Sequence, residues 1–540
     1  MSVSTQLLVG GRIYSPSAPD ATAMAVTDGV VVWVGEDRPG RALHPDAQVI
    51  ELDGAFVTPG FVDAHVHVTA LGLQVTGLDL GGVRDKAECL DRVRRFASEH
   101  SGAVVWGHGW DDSRWPDVAP TTAELDEAAP GRPVYLTRAD AHSALCSTPL
   151  RQAVPALASA PGYAPDGSLT GEAHHRARAR ARALLTPTQR ADARVAALDH
   201  AAAQGIVAVH ECGGPDISGL DDFQALLAYP HPVEVRGYWG EAVDSPEAAT
   251  ELLARTGAHA LGGDLFIDGA LGSHTAAVLA PYHDCAGHHG TTYLDAETVA
   301  AHLRACTLAG IQAGFHAIGD AAVAAVLSAF GTVAEELGGP ALAARGHRIE
   351  HLEMVTAEQA AQLGSWGVIA SMQPVFDALW GGRDGMYAQR LGAERAARMN
   401  PFAPIAATGM SLAFGSDAPV TSVDPWAMLR AAVHHHTPGS GVSPRAAFAA
   451  ATRGAWRAGG VRDGMAGTLV PGAPASYAIW DTDELVVSAP KDSVQRWSTD
   501  PRSRVPALPR LDDDAGTPVC LKSVHRGVTV HEHGVTVHEH

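Results

Sequence analysis

Two histidines one residue apart, His65 and His67, close the apolar run Phe61-Val62-Asp63-Ala64-His65-Val66-His67. On a β-strand alternate side chains share a face, so the pair can grip one metal ion while Val66 turns to the other side. Later apolar runs also end in single polar residues: His316 in Ile311–Asp320, His351 in His347–Glu353, Asp417 in Leu412–Pro419, and Asp264 and Asp268 in Gly263–Gly269. Taken one at a time, each has a plain structural reading. A His-X-His pair arises by chance, His316 or His351 could be a hydrogen-bonded core or rim histidine, and Asp417 before Ala-Pro could form a turn. In this joint order, four histidines and an aspartate at the strand ends of a barrel would meet at one mouth and make a metal site.

Such convergence requires parallel strands that share one end. From residue 61 onward apolar strand-like runs alternate with Ala-rich helical stretches, which predicts an α/β chain with core strands at 61–67, 205–210, 233–239, 264–268, 311–316, 347–352, 367–372 and 411–416. Eight strands suggest a (β/α)8 TIM-like barrel. Far more chain separates the first two strands than one βα unit needs, so an insertion at about 70–200 is expected over the mouth. It holds strand-like pieces at Val104–Gly107 and Val134–Thr137, and the Arg-Ala repeat Arg176–Arg182, read as the solvated face of a helix with an anion site as the alternative. Both ends of the chain are rich in short β-like runs. They predict a composite β-sandwich from 1–58 and 466–530 around a barrel domain at 59–465. Gly527–His533 recurs at once as Gly534–His540, so 531–540 is a duplicated tail set apart from the fold.

With 540 residues the chain has room for three domains, or for one large barrel and a smaller unit. It has no apolar run long enough for a membrane span, and its start lacks the pattern of a secretion signal. Sixty acidic against 39 basic residues give a formal charge of −21, which repels phosphate backbones and argues against nucleic-acid binding. Six scattered cysteines without a C-x-x-C pair suit a reducing compartment. The expectation is a cytoplasmic protein acting on a small-molecule substrate, with no nucleic-acid or membrane partner and with a homodimer as an option.

The segments PGFVDAHVH (59–67), HAIGD (316–320), HRIEH (347–351) and GSDAP (415–419) resemble the amidohydrolase superfamily of metal-dependent hydrolases, specifically its amidohydrolase-3 branch, which includes N-substituted formamide deformylases. Similarity runs from about Val9 to Trp480, supported by GHGWD (107–111), RADAHS (138–143), DGALGS (268–273) and Gln373-Pro374. The resemblance implies the barrel and sandwich architecture, with His65, His67, His316 and His351 as metal ligands and Asp417 as ligand and proton shuttle. One position departs from the pattern. Many relatives carry a carboxylated lysine that bridges two metals where this chain has Asp264. Aspartate reaches less far, so a single ion or a loosely held pair is expected, with Asp264 as a further candidate ligand.

The expected cofactor is a divalent metal, zinc foremost, as one or two ions. It would make hydroxide available at neutral pH, and Asp417 would carry a proton from that water to a departing amine. The expected reaction is hydrolysis of a non-peptide C–N bond in an amide or N-substituted formamide. The alternatives are a lactonase or esterase on the same site, and a non-hydrolytic barrel that binds metal and ligand. Candidate substrate contacts are Trp110, Asp111 and His142 in the insertion and His274 after the fourth strand. His210-Glu211 reads as a rim contact or as a partner that orients a ligand.

Overall fold

The computed structural model of the protein describes residues 5–482, 484–486, 506–512 and 514–533. Residues 487–505 of the expected second sandwich segment and the 534–540 copy of the terminal repeat lie outside the described residues.

Eight strands follow one another in chain order: β1 (Phe61–Val66), β2 (Ile206–Gly213), β3 (Glu234–Trp239), β4 (Ala260–Leu261), β5 (Gly314–Ala317), β6 (Arg348–His351), β7 (Ile369–Met372) and β8 (Ser411–Phe414). They pair in parallel as two four-stranded sheets, β4-β3-β2-β1 and β5-β6-β7-β8. Isolated parallel bridges cross the two seams, Leu261–Ala313 and Phe266–His316 at one and Val66–Ala418 at the other, while continuous ladders stop short of both. Strands β1, β2, β5, β6 and β7 are buried at every position, as parallel strands covered on both faces are. In that setting a polar residue must find a partner, so the polar strand ends carry information.

The expected fourth strand at 264–268 is not a strand. The ladder ends at Leu261, and Gly262 (φ +154°) and Gly263 (φ +71°) turn the chain out of it. A Cβ on Gly262 would lie 2.2 Å from the Gly314 nitrogen, so only glycine lets the two segments approach there. Leu265 and Ile267 are apolar because they are buried, although no ladder pairs them.

Between β1 and β2 lies a five-stranded sheet in the order Leu169–Thr170, Ser143–Cys146, Val134–Arg138, Val105–Trp110 and Leu78–Asp79. Two helices follow, α1 (Gly171–Leu184) and α2 (Pro187–Ala203). A capping box from Thr186 and Gln189, with Pro187 in the first turn, starts α2. Near the chain ends, a further sheet orders Arg12–Ile13, Phe56–Pro59, Tyr477–Asp481, Val519–His525 and Val528–Glu532, and so draws strands from both ends. It shares a core containing Leu8, Met24, Val57, Ile479 and Val524 with a four-stranded sheet formed by residues 5–51. Among the described residues no helix is long and apolar enough to cross a membrane.

Candidate metal centre and substrate cavity

His65 lies near the end of β1 and His67 just past it, His316 lies on β5, His351 ends β6, and Asp417 follows β8. The structure gathers all five around Asp264. The Asp264 carboxylate presents Oδ1 to His316 Nδ1 at 3.2 Å, His65 Nε2 at 3.5 Å and His351 Nε2 at 3.6 Å, and Oδ2 to His67 Nε2 at 3.2 Å. Asp417 Oδ1 stands 3.1 Å from His67 Nε2 and 3.4 Å from His65 Nε2. Three overlapping triads have mutually close donor atoms: His65/His67/Asp264, His65/His351/Asp417 and Asp264/His316/His351. The short reach of aspartate is no obstacle, because after Gly262–Gly263 the chain lies in the mouth instead of in the ladder.

The backbone is held in costly conformations at this point. His351 (φ +71°) and Asp417 (φ +55°) occupy the left-handed region, which costs a non-glycine residue roughly 1–3 kcal/mol and must be offset by surrounding contacts. Asp63 supplies several of them: its carboxylate accepts from the Ser416 nitrogen (2.9 Å), the Ser416 hydroxyl (2.5 Å) and the His65 nitrogen (3.2 Å), stapling the end of β8 to β1. Gly415 permits the close approach, since a Cβ there would sit 2.5 Å from the His65 nitrogen. Glu211 accepts from the Val68 nitrogen at 2.7 Å, just past His67.

Second partners fix how the imidazoles face. Glu350 Oε2 lies 3.0 Å from His65 Nδ1 and is itself gripped by Arg348 at 2.6 and 2.8 Å. Gln373 Oε1 lies 2.8 Å from His351 Nδ1, and the Gly269 carbonyl lies 3.3 Å from His316 Nε2. Those partners leave the other nitrogen of each ring facing Asp264.

His65 Nε2, His351 Nε2 and Asp417 Oδ1 are buried and have no hydrogen-bond partner. A buried polar atom left unmet costs free energy, and three aimed at one region fit a cation between them. The carboxylates also favour positive charge beside them. Burial opposes ionisation of Asp264, yet the charge on His65 and the contact with His316 hold its carboxyl well below the usual carboxylate range. Burial likewise opposes the His67 imidazolium, but the Asp264 and Asp417 carboxylates beside it push its pKa up to about 10. Imidazole and carboxylate are the donors that zinc-like divalent ions take, so the residues fit such a group.

A cavity reaches from this cluster under the insertion, and the expected substrate residues divide around it. His142 lines it. Trp110 does not: its ring is buried in the core of the insertion sheet and its Nε1 donates to the Leu136 carbonyl at 2.9 Å. Strict alternation would put Trp110 on the face of Trp106 and His108, both of which line the cavity, but a bulge at Gly109 (φ +97°) reverses the parity. Asp111 is also outside it, paired with Arg138 and accepting from Trp380 Nε1 at 3.4 Å. His274 points away, its Nε2 meeting Asp284 at 3.0 Å. His210 and Glu211 are not rim contacts either, since His210 Nδ1 accepts from Arg348 at 3.0 Å and Glu211 braces the turn after His67. The cavity contains groups that sequence reasoning did not single out as contacts: His108, Tyr135, Asp140, Arg178 and Phe266. His108 has neither ring nitrogen partnered, and burial lowers its pKa to about 4, so it presents a neutral imidazole.

The sequence and the fold have parallels among known proteins. The chain is 29% identical over 535 residues to Protein LONG AFTER FAR-RED 3 of Arabidopsis thaliana, covering 90% of each chain. It is 28% identical over 151 residues to N-substituted formamide deformylase of Arthrobacter pascens, a match spanning 26% of this chain and 28% of that one. A solved structure of an uncharacterized metal-dependent hydrolase from Pyrococcus furiosus superposes with a TM-score of 0.68 at 25% identity, covering 89% of this chain and 99% of that one. Residues 48–531 match the profile of the amidohydrolase family, and the chain belongs to that family.

Proposed function

We propose that the protein is a metal-dependent hydrolase of a non-peptide C–N bond, an amide or N-substituted formamide, with Asp417 as the proton carrier. The observation that carries this reading is the buried, unpartnered Asp417 Oδ1, set among imidazole nitrogens at the cavity floor. A divalent ion bound there, with zinc the best match to the donors, would supply a Lewis acid and hydroxide at neutral pH. Seven donor atoms (four imidazole nitrogens, both Asp264 oxygens and Asp417 Oδ1) exceed the four that one tetrahedral zinc takes. That surplus fits a pair of ions, of which His65, His67 and Asp417 would hold one and His316 and His351 the other, with Asp264 between the two groups.

The remaining chemistry belongs to the chain. Asp417 takes a proton from the attacking water and delivers it to the leaving nitrogen, which departs poorly as an anion. Glu350 and Gln373 keep His65 and His351 in the tautomers that face inward. His108, neutral and unpartnered, is placed to donate a hydrogen bond to a carbonyl oxygen in the cavity. Metal-loaded protein assayed on matched amide, formamide and ester substrates tests the reading. It expects amide or formamide turnover that is lost on chelation and regained with zinc; turnover of esters alone would replace it with the esterase reading.

A further inference from the structure

The arginines of α1 have different fates. One step of two residues turns a helix by about 200°, so an Arg-Ala repeat sends successive arginines to different sides. Ala173, Ala177 and Ala181 pack into the insertion core. Arg176 is exposed and pairs with Glu172 at 2.7 Å, and Arg182 donates to the Ile217 carbonyl at 2.7 Å. Arg178 is half-buried and lines the cavity that also contains His67, Asp264 and Asp417. Its Nε is buried without a hydrogen-bond partner, and among the described residues it has no ion-pair partner.

The carboxylates lining that cavity cannot neutralise it. Asp140 accepts from Arg138 at 2.8 Å, while Asp264 and Asp417 are surrounded by imidazoles. The charge is felt nearby: burial first, then Arg178, lowers the pKa of His175 to about 4. A guanidinium offers five donors in a planar fork that matches a carboxylate, and leaving it unmet beside apolar surface is costly. The adjacent wall is aromatic and apolar, with Trp106, Tyr135, Phe266 and Ile217.

We infer that the cavity selects amides bearing a carboxylate next to an apolar or aromatic group, with Arg178 holding the carboxylate while the C–N bond lies at the metal cluster. This inference rests on the hydrolase reading for the bond that is cleaved, but the anchoring can be measured without it. The probes are N-benzoylglycine, N-benzoyl-β-alanine and N-benzoyl-4-aminobutyrate, each paired with the neutral amide in which hydrogen replaces the carboxyl group. Binding is titrated on the full chain after chelation, so that no metal can hold the carboxylate. At least one acid should bind on the order of tenfold tighter than its neutral partner. Arg178→Met, checked for an unchanged melting temperature, should erase that preference, and Arg178→Lys should restore part of it.

The inference is overturned if no acid outbinds its partner, or if the preference survives in Arg178→Met. Zinc-loaded turnover separates the two readings. Acids that bind through Arg178 yet are never cleaved contradict the hydrolase and leave the anchor standing. Neutral amides cleaved as fast as the acids contradict the anchor and leave the hydrolase standing.

Discussion

Two buried charge clusters lie close together and differ in one respect. In the insertion, the Arg138 guanidinium meets Asp140, Asp111 and Asp112, and Asp140 also accepts from Ser273 at 2.7 Å. At the barrel mouth, His65, His351 and Asp417 each keep an atom that is buried and unmet. Both regions are rich in buried charge, so burial does not distinguish scaffold from site. What distinguishes them is completion: the first cluster is closed by its own residues, and the second leaves buried donor atoms unmet.

That contrast can be attacked from each side. Asp417→Asn keeps the shape of the mouth but removes the proton carrier, and kcat should fall by roughly 10²–10⁴-fold, read by steady-state kinetics at saturating zinc with bound metal measured in parallel. Arg138→Met should do the reverse. It strands Asp140 and leaves Asp111 without its cation, so stability should drop by about 3 kcal/mol with metal content retained, measured by denaturant unfolding and elemental analysis. If Arg138→Met lost metal as readily as stability, the division between the clusters would not hold.

Glu350→Gln tests a partner of the mouth cluster. It weakens the acceptor that orients His65, and metal affinity should fall by roughly 10–100-fold in a competition titration against a chelator. The smallest effect is expected far away, where Glu234 on β3 meets His525 and Arg526 near the chain end. Burial raises the Glu234 pKa, but bonds from His525 and Arg236 outweigh it and hold it at about 2. A depressed carboxyl pKa stabilises the fold above the unfolded-state value near 4.5, and that contribution is lost as pH falls towards 2. Glu234→Gln should therefore cost on the order of 1 kcal/mol at neutral pH, after allowance for solvent screening, with the cost fading as pH falls through about 2, read from melting temperatures across pH.

How much of this was legible in the sequence follows from what each residue had to satisfy. Strands such as β1 and β5 announced themselves because both faces are buried, so apolar residues dominate up to the polar end that matters, whereas β6, Arg348-Ile349-Glu350-His351, buries mostly polar side chains and shows little of that signal. The run at 264–268 misled for the same reason: Leu265 and Ile267 are buried although only the single Phe266–His316 bridge ties the segment to β5, and the Gly262–Gly263 break that frees Asp264 carries no hydropathy signal. Trp110 was misplaced by a single bulged glycine, which alternation cannot anticipate. Arg178 stayed hidden in a repeat whose members look alike until the helix is docked. A segment such as GHGWD, with Gly109 inside an apparent strand, is the one place where a bulge could have been suspected.

The most direct test is elemental analysis of the zinc-loaded protein combined with anomalous scattering from its crystals. Two ions sharing the Asp264 carboxylate, one ligated by His65, His67 and Asp417 and the other by His316 and His351, are the predicted result. A protein that binds no ion among these six side chains after zinc loading, while remaining folded, would contradict the metal centre and the hydrolase built on it.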